Sequence, residues 1–126
     1  MPPSTAQRAE LRRRRSLGRE GEAFVASELG RRGFRILERN LRSRGGELDL
    51  IALREGILWF VEVKTRISAP PEVSIRQQRC ITRMAYHYLA AHPLEFEEAS
   101  FVVAWVHGRP GAFEVEFIEN AFDAAF

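Results

Sequence analysis

The sequence contains one cysteine, one lysine and no long apolar run, and these scarcities exclude several classes of protein. Because Cys80 is alone, neither an internal disulfide nor a cysteine-rich zinc site can form. Every apolar stretch falls short of the roughly 20 residues that a membrane helix needs. The arginine-rich start also lacks the apolar segment of a secretory signal. We therefore expect a cytoplasmic protein with no membrane partner.

What the chain does contain is typical of one folded domain. Its 126 residues are 45% hydrophobic and 29% charged, which is ordinary for a globular protein with a single core. We predict a single domain over residues 16–126. Residues 1–15 precede it as a basic arm or as an extension of the first helix.

The positive charge is unevenly distributed along the chain. Residues 1–54 contain thirteen arginines and seven acidic residues, whereas residues 93–126 contain one arginine and seven acidic residues. A basic lobe attracts polyanions, because neutralising phosphates releases counterions and arginine binds phosphate in a bidentate manner. The alternative is a solvated surface whose arginine preference reflects base composition, and charge asymmetry alone does not distinguish the two.

The pattern of apolar residues predicts the element order α-β-β-β-α-β-β. We expect Ser4 and Gln7 to form a capping box at the start of the first helix, and Gly33 to end it. The second helix starts at Ser74. The predicted strands cover residues 34–40, 47–53, 57–65, 100–106 and 112–118.

The second and third strands predict a hairpin, because only Arg54, Glu55 and Gly56 separate them. If Glu55 and Gly56 form a two-residue primed turn, Arg54 faces Ile57. The register of every later pair in the hairpin follows from this turn.

That register brings charged residues together inside an apolar hairpin. Asp49 faces Glu62, and Glu47 faces Lys64 on the same side, because strand side chains alternate with period two. Opposed carboxylates repel each other, and a divalent cation bound between them removes the repulsion. The register therefore predicts a cation shared by the carboxylates, with the lysine ammonium nearby.

A Glu-x-Lys pair on an exposed strand is usually a surface ion pair of little energetic value. Here, however, the flanking segments LDLIA and WFVEV are so apolar that both strands are expected to be buried on both faces. Charges in such strands are costly unless they satisfy one another or serve a function. Lys64 is also the only lysine beside eighteen arginines. This favours a role that arginine cannot perform, with chance survival of one lysine as the alternative.

Several short motifs in a fixed order resemble one protein family. They are GRRGF at 30–34, GGELDLIA at 45–52, FVEVKTR at 60–66, RQQR at 76–79 and FIENAF at 117–122. On these motifs, the segment from Gly18 to Phe122 resembles the bacterial YraN-type proteins, a largely uncharacterised family. The resemblance implies an α/β restriction-endonuclease-like fold, with a central mixed sheet of about five strands flanked by helices, similar to archaeal Holliday-junction resolvases.

The resemblance also implies a PD-(D/E)xK nuclease site. Asp49 and Glu62 correspond to its two metal-binding acids, and Lys64 corresponds to its lysine. Glu22 corresponds to the glutamate of the first helix, and Val63 to the residue whose backbone carbonyl joins the ligands. Mg²⁺ suits all-oxygen coordination, with Mn²⁺ as the expected substitute. A compact lysine ammonium can orient or deprotonate the attacking water, or neutralise charge in the transition state.

Two of the acids have open roles. Glu22 is either an outer ligand that acts through water, as the resemblance implies, or an exposed helical glutamate. Glu47 is either a partner that orients Lys64 or a plain cross-strand ion pair, and we favour the ion pair.

Two groups of residues are candidates for nucleic-acid contacts. One face of the second helix, opposite its apolar residues, carries Arg76, Arg79, Arg83 and His87, with Gln78 beside them. The N-terminal group comprises Arg12, Arg13, Arg14 and Arg15. The alternatives are the solvated side of an amphipathic helix for the first group and an exposed helix start for the second.

Two classes of function follow from these features. The first is a metal-dependent endonuclease that hydrolyses phosphodiester bonds in DNA, including branched or otherwise structured DNA. The second is a nucleic-acid-binding or partner-binding module of the same fold that catalyses no reaction. We prefer the nuclease because all the site residues are present. The resemblance to resolvases also implies a two-fold dimer, because a junction presents paired scissile strands.

Overall fold

The structure is a computed structural model that describes residues 1–65 and 71–120. The ends of the FVEVKTR and FIENAF motifs lie outside the described residues. The elements are α1 (Thr5–Arg31), β1 (Arg35–Ser43), β2 (Gly46–Arg54), β3 (Ile57–Thr65), α2 (Ile75–Ala91), β4 (Glu98–His107) and β5 (Glu114–Glu119). Their order confirms the predicted α-β-β-β-α-β-β arrangement.

The first helix begins at the predicted capping box. The Ser4 hydroxyl accepts a hydrogen bond from the Gln7 N–H at 3.1 Å, and the Gln7 side chain accepts one from the Ser4 N–H at 2.7 Å. The helix is continuous through residues 12–15 and ends at Arg31. Gly33 follows with a φ of +89°, a conformation that glycine adopts without steric cost.

The strands form one mixed sheet in the order β1-β2-β3-β4-β5. Strands β3 and β4 are parallel, whereas the other neighbouring strands are antiparallel. Parallel strands need a crossover connection, and α2 lies between β3 and β4 in the chain. The arrangement confirms the predicted fold class and is compatible with the restriction-endonuclease-like fold.

The two helices cover opposite faces of the sheet. On one face, Val25 and Leu29 of α1 pack against residues of β2, β3 and β4. On the other face, Ile81 and Met84 of α2 pack against the same three strands. The central strands are therefore buried on both faces, as their apolar composition predicts. Neither helix, in the part of the chain that the structure describes, combines the length and the apolar character that crossing a membrane requires.

The turn between β2 and β3 has the predicted geometry. Glu55 and Gly56 have φ angles of 47° and 80°, and two successive positive φ angles characterise the primed hairpin turn. The predicted register holds from this turn to the pair of Leu50 and Val61. The next residues along the two strands are Asp49 and Glu62.

Helix α1 approaches the end of β3 closely at Gly21. A Cβ atom at this buried glycine would collide with Oγ1 of Thr65. The absence of a side chain at Gly21 therefore lets the helix approach the strand and brings Glu22, the next residue, to the sheet.

We predict opposite effects of alanine at two glycines of α1. A Cβ at Gly18 would have nothing within 4 Å. Gly18→Ala should therefore raise the free energy of unfolding by about 0.5–1 kcal/mol, because alanine is the better helix former. Gly21→Ala should lower the free energy of unfolding, because either the helix or the Thr65 side chain must shift to make room for the Cβ atom. Thermal unfolding followed by circular dichroism compares the variants, and equal stabilisation by both would contradict a required close approach at Gly21.

Candidate functional site

Strands β2 and β3 separate at Asp49, and the candidate site lies at this separation. Oδ2 of Asp49 accepts a hydrogen bond from the backbone N–H of Val63 at 2.7 Å. A side-chain carboxylate thus binds a strand N–H that the main chain of a partner strand would otherwise bind. The Asp49 residue is only 8% exposed, and the bond offsets part of the cost of burying it.

The side-chain alternation of β2 also breaks at Asp49. Residues two apart in a strand normally share a face. Leu48 nevertheless packs on the α2 side of the sheet, whereas Leu50 packs on the α1 side. An irregularity at Asp49 therefore changes the face on which the preceding residues lie.

This break explains a difference from the predicted pairing of Glu47 with Lys64. The structure places a carboxylate oxygen of Glu47 4.0 Å from Nε of Arg42 on β1. The ammonium of Lys64 lies 3.6 Å from Oε1 of Glu62, its neighbour on the same face of β3. The predicted register holds as far as Leu50. The alternation of side chains between the two faces, which the prediction also assumed, breaks at Asp49.

Carboxylate groups from α1 and β2 meet at Asp49. Oxygen atoms of Glu22 on α1, and of Glu47 and Asp49 on β2, all lie within 4.8 Å of one another. Glu22 is half-buried and reaches the sheet because of the close helix approach at Gly21. The structure thus places Glu22 in the acidic cluster itself.

Glu62 on β3 lies beside this cluster and lines the same cavity as Asp49. Its charge helps to raise the pKa of Asp49, and the Lys64 ammonium lies 3.6 Å from its Oε1 atom. The side chains of Lys64 and Glu62 are only 12% and 14% exposed. Oε2 of Glu62 is buried and has no hydrogen-bond partner among the described residues. A buried carboxylate oxygen without a donor is costly, and a cation is one way to satisfy it.

Burial and the charges of neighbouring acids raise the pKa of the carboxyl groups at the site. Burial, together with the hydrogen bond and charge of Asp49, raises the pKa of Glu22 to about 8. Burial and the charge of Glu62 raise the pKa of Asp49 to about 7. Burial also raises the pKa of Glu62, although Lys64 opposes the shift. At neutral pH the cluster therefore retains protons that isolated carboxyl groups release, and a divalent cation would compete with those protons.

Asn40 contributes to the cluster, although the sequence did not make it a candidate. It lies on β1, opposite Asp49 in the β1–β2 register, with a φ of 53° that asparagine tolerates better than most residues. With its amide nitrogen facing the acids, Asn40 donates to Glu47 at 2.8 Å and to both carboxylate oxygens of Glu22 at 3.1 Å. These contacts form only in the folded chain, so no motif indicates them.

Helix α2 forms a second wall over the acids. A cavity of about 310 Å³ has Asp49 and Glu62 on its sheet side and Arg76 on its α2 side. At the edge of this cavity, a Cβ on Gly46 would lie 2.7 Å from Sγ of Cys80. The glycine therefore lets α2 approach the turn between β1 and β2, which brings Arg76 over the acids.

The other predicted contacts on α2 divide into two groups. Arg79 and Arg83 are exposed, and the guanidinium of Arg83 lies against Gly45. The side-chain nitrogen of Gln78 instead donates to the carbonyl of Val73 at 2.9 Å. Gln78 thus holds the segment before α2.

The N-terminal arginines lie on the exposed surface of α1, at Arg12, Arg13, Arg14 and Arg15. Arg13 and Arg14 pair with Glu10 at 2.8 and 3.3 Å, and exposed pairs of this kind contribute little to stability. Arg14 also lines a cavity of about 670 Å³ that Lys64 borders. In the described part of the chain, Arg14 is therefore the N-terminal arginine that shares this cavity with Lys64.

We predict that the metal-free protein loses stability as pH rises. In the unfolded chain Asp49 and Glu22 titrate near 3.8 and 4.5, but in the folded chain near about 7 and 8. A raised carboxyl pKa stabilises the fold fully below the unfolded value, and this contribution is lost as pH rises through the folded value. In EDTA, the thermal midpoint should be lower at about pH 8.5 than at about pH 5.5, and Mn²⁺ should restore it.

Glu22→Gln provides the control, because it removes one of the titrating groups and should reduce the dependence on pH. A midpoint in EDTA that stays constant or rises between the two pH values would contradict the strained acidic cluster.

We predict that Asn40 positions the acids for metal binding. Asn40→Gly keeps the left-handed backbone but removes the amide, and it should weaken Mn²⁺ binding by about tenfold or more. Asn120→Gly is a matched control, because Asn120 also has a positive φ, of 52°, and hydrogen-bonds Ser100 instead. Electron paramagnetic resonance of free Mn²⁺ measures both affinities. An unchanged Mn²⁺ affinity in Asn40→Gly would show that Asn40 does not position the acids.

Comparison with known proteins agrees with the family resemblance of the motifs. Residues 21–118 match the uncharacterised protein family UPF0102. A UPF0102 protein of Pelobacter propionicus is 39% identical over 132 residues, which cover 98% of this chain and 92% of that protein. A UPF0102 protein of Syntrophotalea carbinolica is 44% identical over 115 residues, covering 87% of this chain and 94% of its own. The chain therefore belongs to UPF0102, the family of the YraN-type proteins.

Proposed function

We propose that the protein is a metal-dependent endonuclease that hydrolyses phosphodiester bonds in DNA in the cytoplasm. The observation that carries the proposal is the convergence of carboxyl groups from Glu22, Asp49 and Glu62, with the Lys64 ammonium 3.6 Å from Glu62. Acids whose pKa is raised by burial and by one another concentrate at functional sites. The same residues correspond to the PD-(D/E)xK pattern.

The oxygen atoms at the site fit Mg²⁺ or Mn²⁺ as the cation. Asp49 and Glu62 offer carboxylate oxygens, and Oε2 of Glu62 lacks a hydrogen-bond donor in the described ranges. In a strand, the N–H and C=O of one residue point to the same side. The Val63 carbonyl therefore points to the side on which its N–H binds Asp49. Asp49, Glu62 and the Val63 carbonyl are the proposed ligands, and Glu22 is close enough to Asp49 to join them.

Lys64 has the second chemical role. When bound, the cation would polarise the phosphate and make a water molecule more acidic. The Lys64 ammonium, held beside Glu62, would orient the attacking water or neutralise the negative charge that builds on the phosphoryl oxygens. Arginine is larger and presents its charge as a planar fork, so it is a poor replacement in this nearly buried position.

The surrounding arginines suit a DNA strand that crosses the acids. Arg76 lines the cavity over Asp49 and Glu62, and Arg14 lines the neighbouring cavity with Lys64. Phosphates on either side of the cut bond would thus meet a guanidinium group. Because the family resembles resolvases, we also propose that the substrate is branched DNA and that the protein assembles as a two-fold dimer.

A silent binding module of the same fold is the second candidate. The hydrogen bond from the Val63 N–H gives Asp49 a structural role that requires no ion and no reaction. A module that lost activity would keep this bond for its fold, along with the arginines that bind phosphate.

Cleavage of labelled branched, flapped and linear DNA distinguishes the two candidates. The wild type should cut at least one of these substrates with Mg²⁺ or Mn²⁺ and none in EDTA. Asp49→Asn and Lys64→Arg should each lower the rate by about 100-fold or more while DNA binding persists. Glu95→Gln, at an exposed acid outside the cluster, should leave the rate unchanged.

Two results would decide against the nuclease. Binding without cleavage of any substrate by the wild type would favour the silent module. Cleavage that is unchanged in Asp49→Asn would place the activity outside the proposed site.

A further inference from the structure

A second cavity, of about 400 Å³, lies on the α2 side of the sheet. It is bordered by the end of β1, by the turn that follows it and by the second half of α2. None of its lining residues belongs to the acidic cluster described above.

The interior of this cavity is apolar and aromatic. Leu41 lines it from β1, and Met84 and Tyr88 line it from α2, where they are only 4% and 7% exposed. The rings of Tyr88 and His92 are stacked, with centroids 4.3 Å apart and an angle of 18° between their planes. A flat apolar group with a π-face suits such a surface.

The rim of the cavity is basic. Arg42, Arg44, Arg83 and His87 line it, and none of the described residues that line it is acidic. The combination of an apolar interior with guanidinium groups at the entrance complements a nucleotide, whose base is flat and apolar on its faces and whose phosphate is an anion. Apolar ligands without charge would make no use of the arginines.

The cavity also adjoins the acidic site. Gly45 lines both cavities, and the guanidinium of Arg83 lies against this glycine. A nucleic-acid strand with one phosphate over the acids can therefore pass Gly45 and Arg83 to reach the apolar interior. Glycine at this position leaves room for the guanidinium of Arg83, which is thus placed to contact the strand between the two cavities.

From this arrangement we propose that the second cavity binds an unpaired base of the DNA strand, next to the phosphate at the acidic site. The inference rests on the proposed function and specifies its substrate. A base can enter a concave apolar cavity only when it leaves the helical stack, which costs least where the base is already unpaired. The protein should therefore prefer DNA that has an unpaired nucleotide beside the scissile phosphate over continuous duplex.

Equilibrium binding in EDTA tests the inference without cleavage. Two labelled duplexes are compared by fluorescence anisotropy, one with a single unpaired thymidine and one with an abasic nucleotide at the same place. The backbones are the same, so a difference in affinity reports the base. We expect the duplex with the thymidine to bind about tenfold more tightly.

Two matched variants locate the effect in the cavity. Ala91 lines the cavity and is exposed at the end of α2, whereas its exposed neighbour Ala90 does not line it. Ala91→Leu should narrow the cavity and reduce the difference in affinity between the two duplexes to about twofold or less. Ala90→Leu should leave the difference in affinity at about tenfold. Both variants keep a good helix former at an exposed position, so the fold should be retained.

Each other outcome overturns the proposal in a distinguishable way. Equal binding of the two duplexes by the wild type would refute the base site but leave the nuclease proposal intact. A difference that persists in Ala91→Leu would place the base elsewhere. No binding of either duplex would remove the base site and the proposed action on DNA together.

Discussion

The hydrogen bond between the Asp49 carboxylate and the Val63 N–H is the contact on which the rest of the site depends. A sheet cannot open in its interior unless the freed backbone groups find other partners. Asp49 provides such a partner, so β2 and β3 can separate beyond the pair of Leu50 and Val61 without leaving this N–H unsatisfied. Because the carboxylate is bound to the backbone of β3, the sheet fixes its position. Glu22 then approaches from α1 and Arg76 from α2.

The separation concentrates negative charge in a place that disfavours it. The pKa values of Glu22, Asp49 and Glu62 are all raised, so the folded metal-free protein binds protons that the unfolded chain would release at neutral pH. This arrangement reduces stability, as is common where a site is kept for function. In the proposed function, a divalent cation would satisfy the same oxygens without the protons. The raised pKa values and the proposed metal site would thus have one cause, which is the burial of neighbouring acids.

Local signals in the sequence were sufficient for the elements and for the register of the central hairpin. The capping box at Ser4, the stop at Gly33 and the primed turn at Glu55 and Gly56 each depend on a few adjacent residues, and each is present. The pairing of Leu50 with Val61 follows from that turn by counting. The family match also confirms the resemblance that the motifs indicated.

The details of the site could not be predicted in the same way, because they depend on irregular backbone and on contacts between elements. Period-two alternation assumed a regular strand, and it failed at Asp49, where Leu48 and Leu50 pack on opposite faces. Asn40 reaches the acids because of a left-handed backbone angle on another strand. Glu22 lies in the cluster because Gly21 permits a close helix approach, which only the tertiary structure reveals.

The proposed site requires that the acids of β2 and β3 bind one divalent cation between them. A crystal structure of the protein grown with MnCl₂, with anomalous scattering recorded near the manganese edge, tests this requirement. We expect an anomalous peak in contact with carboxylate oxygens of both Asp49 and Glu62. Well-ordered Asp49 and Glu62 side chains at saturating Mn²⁺ with no peak between them would contradict it.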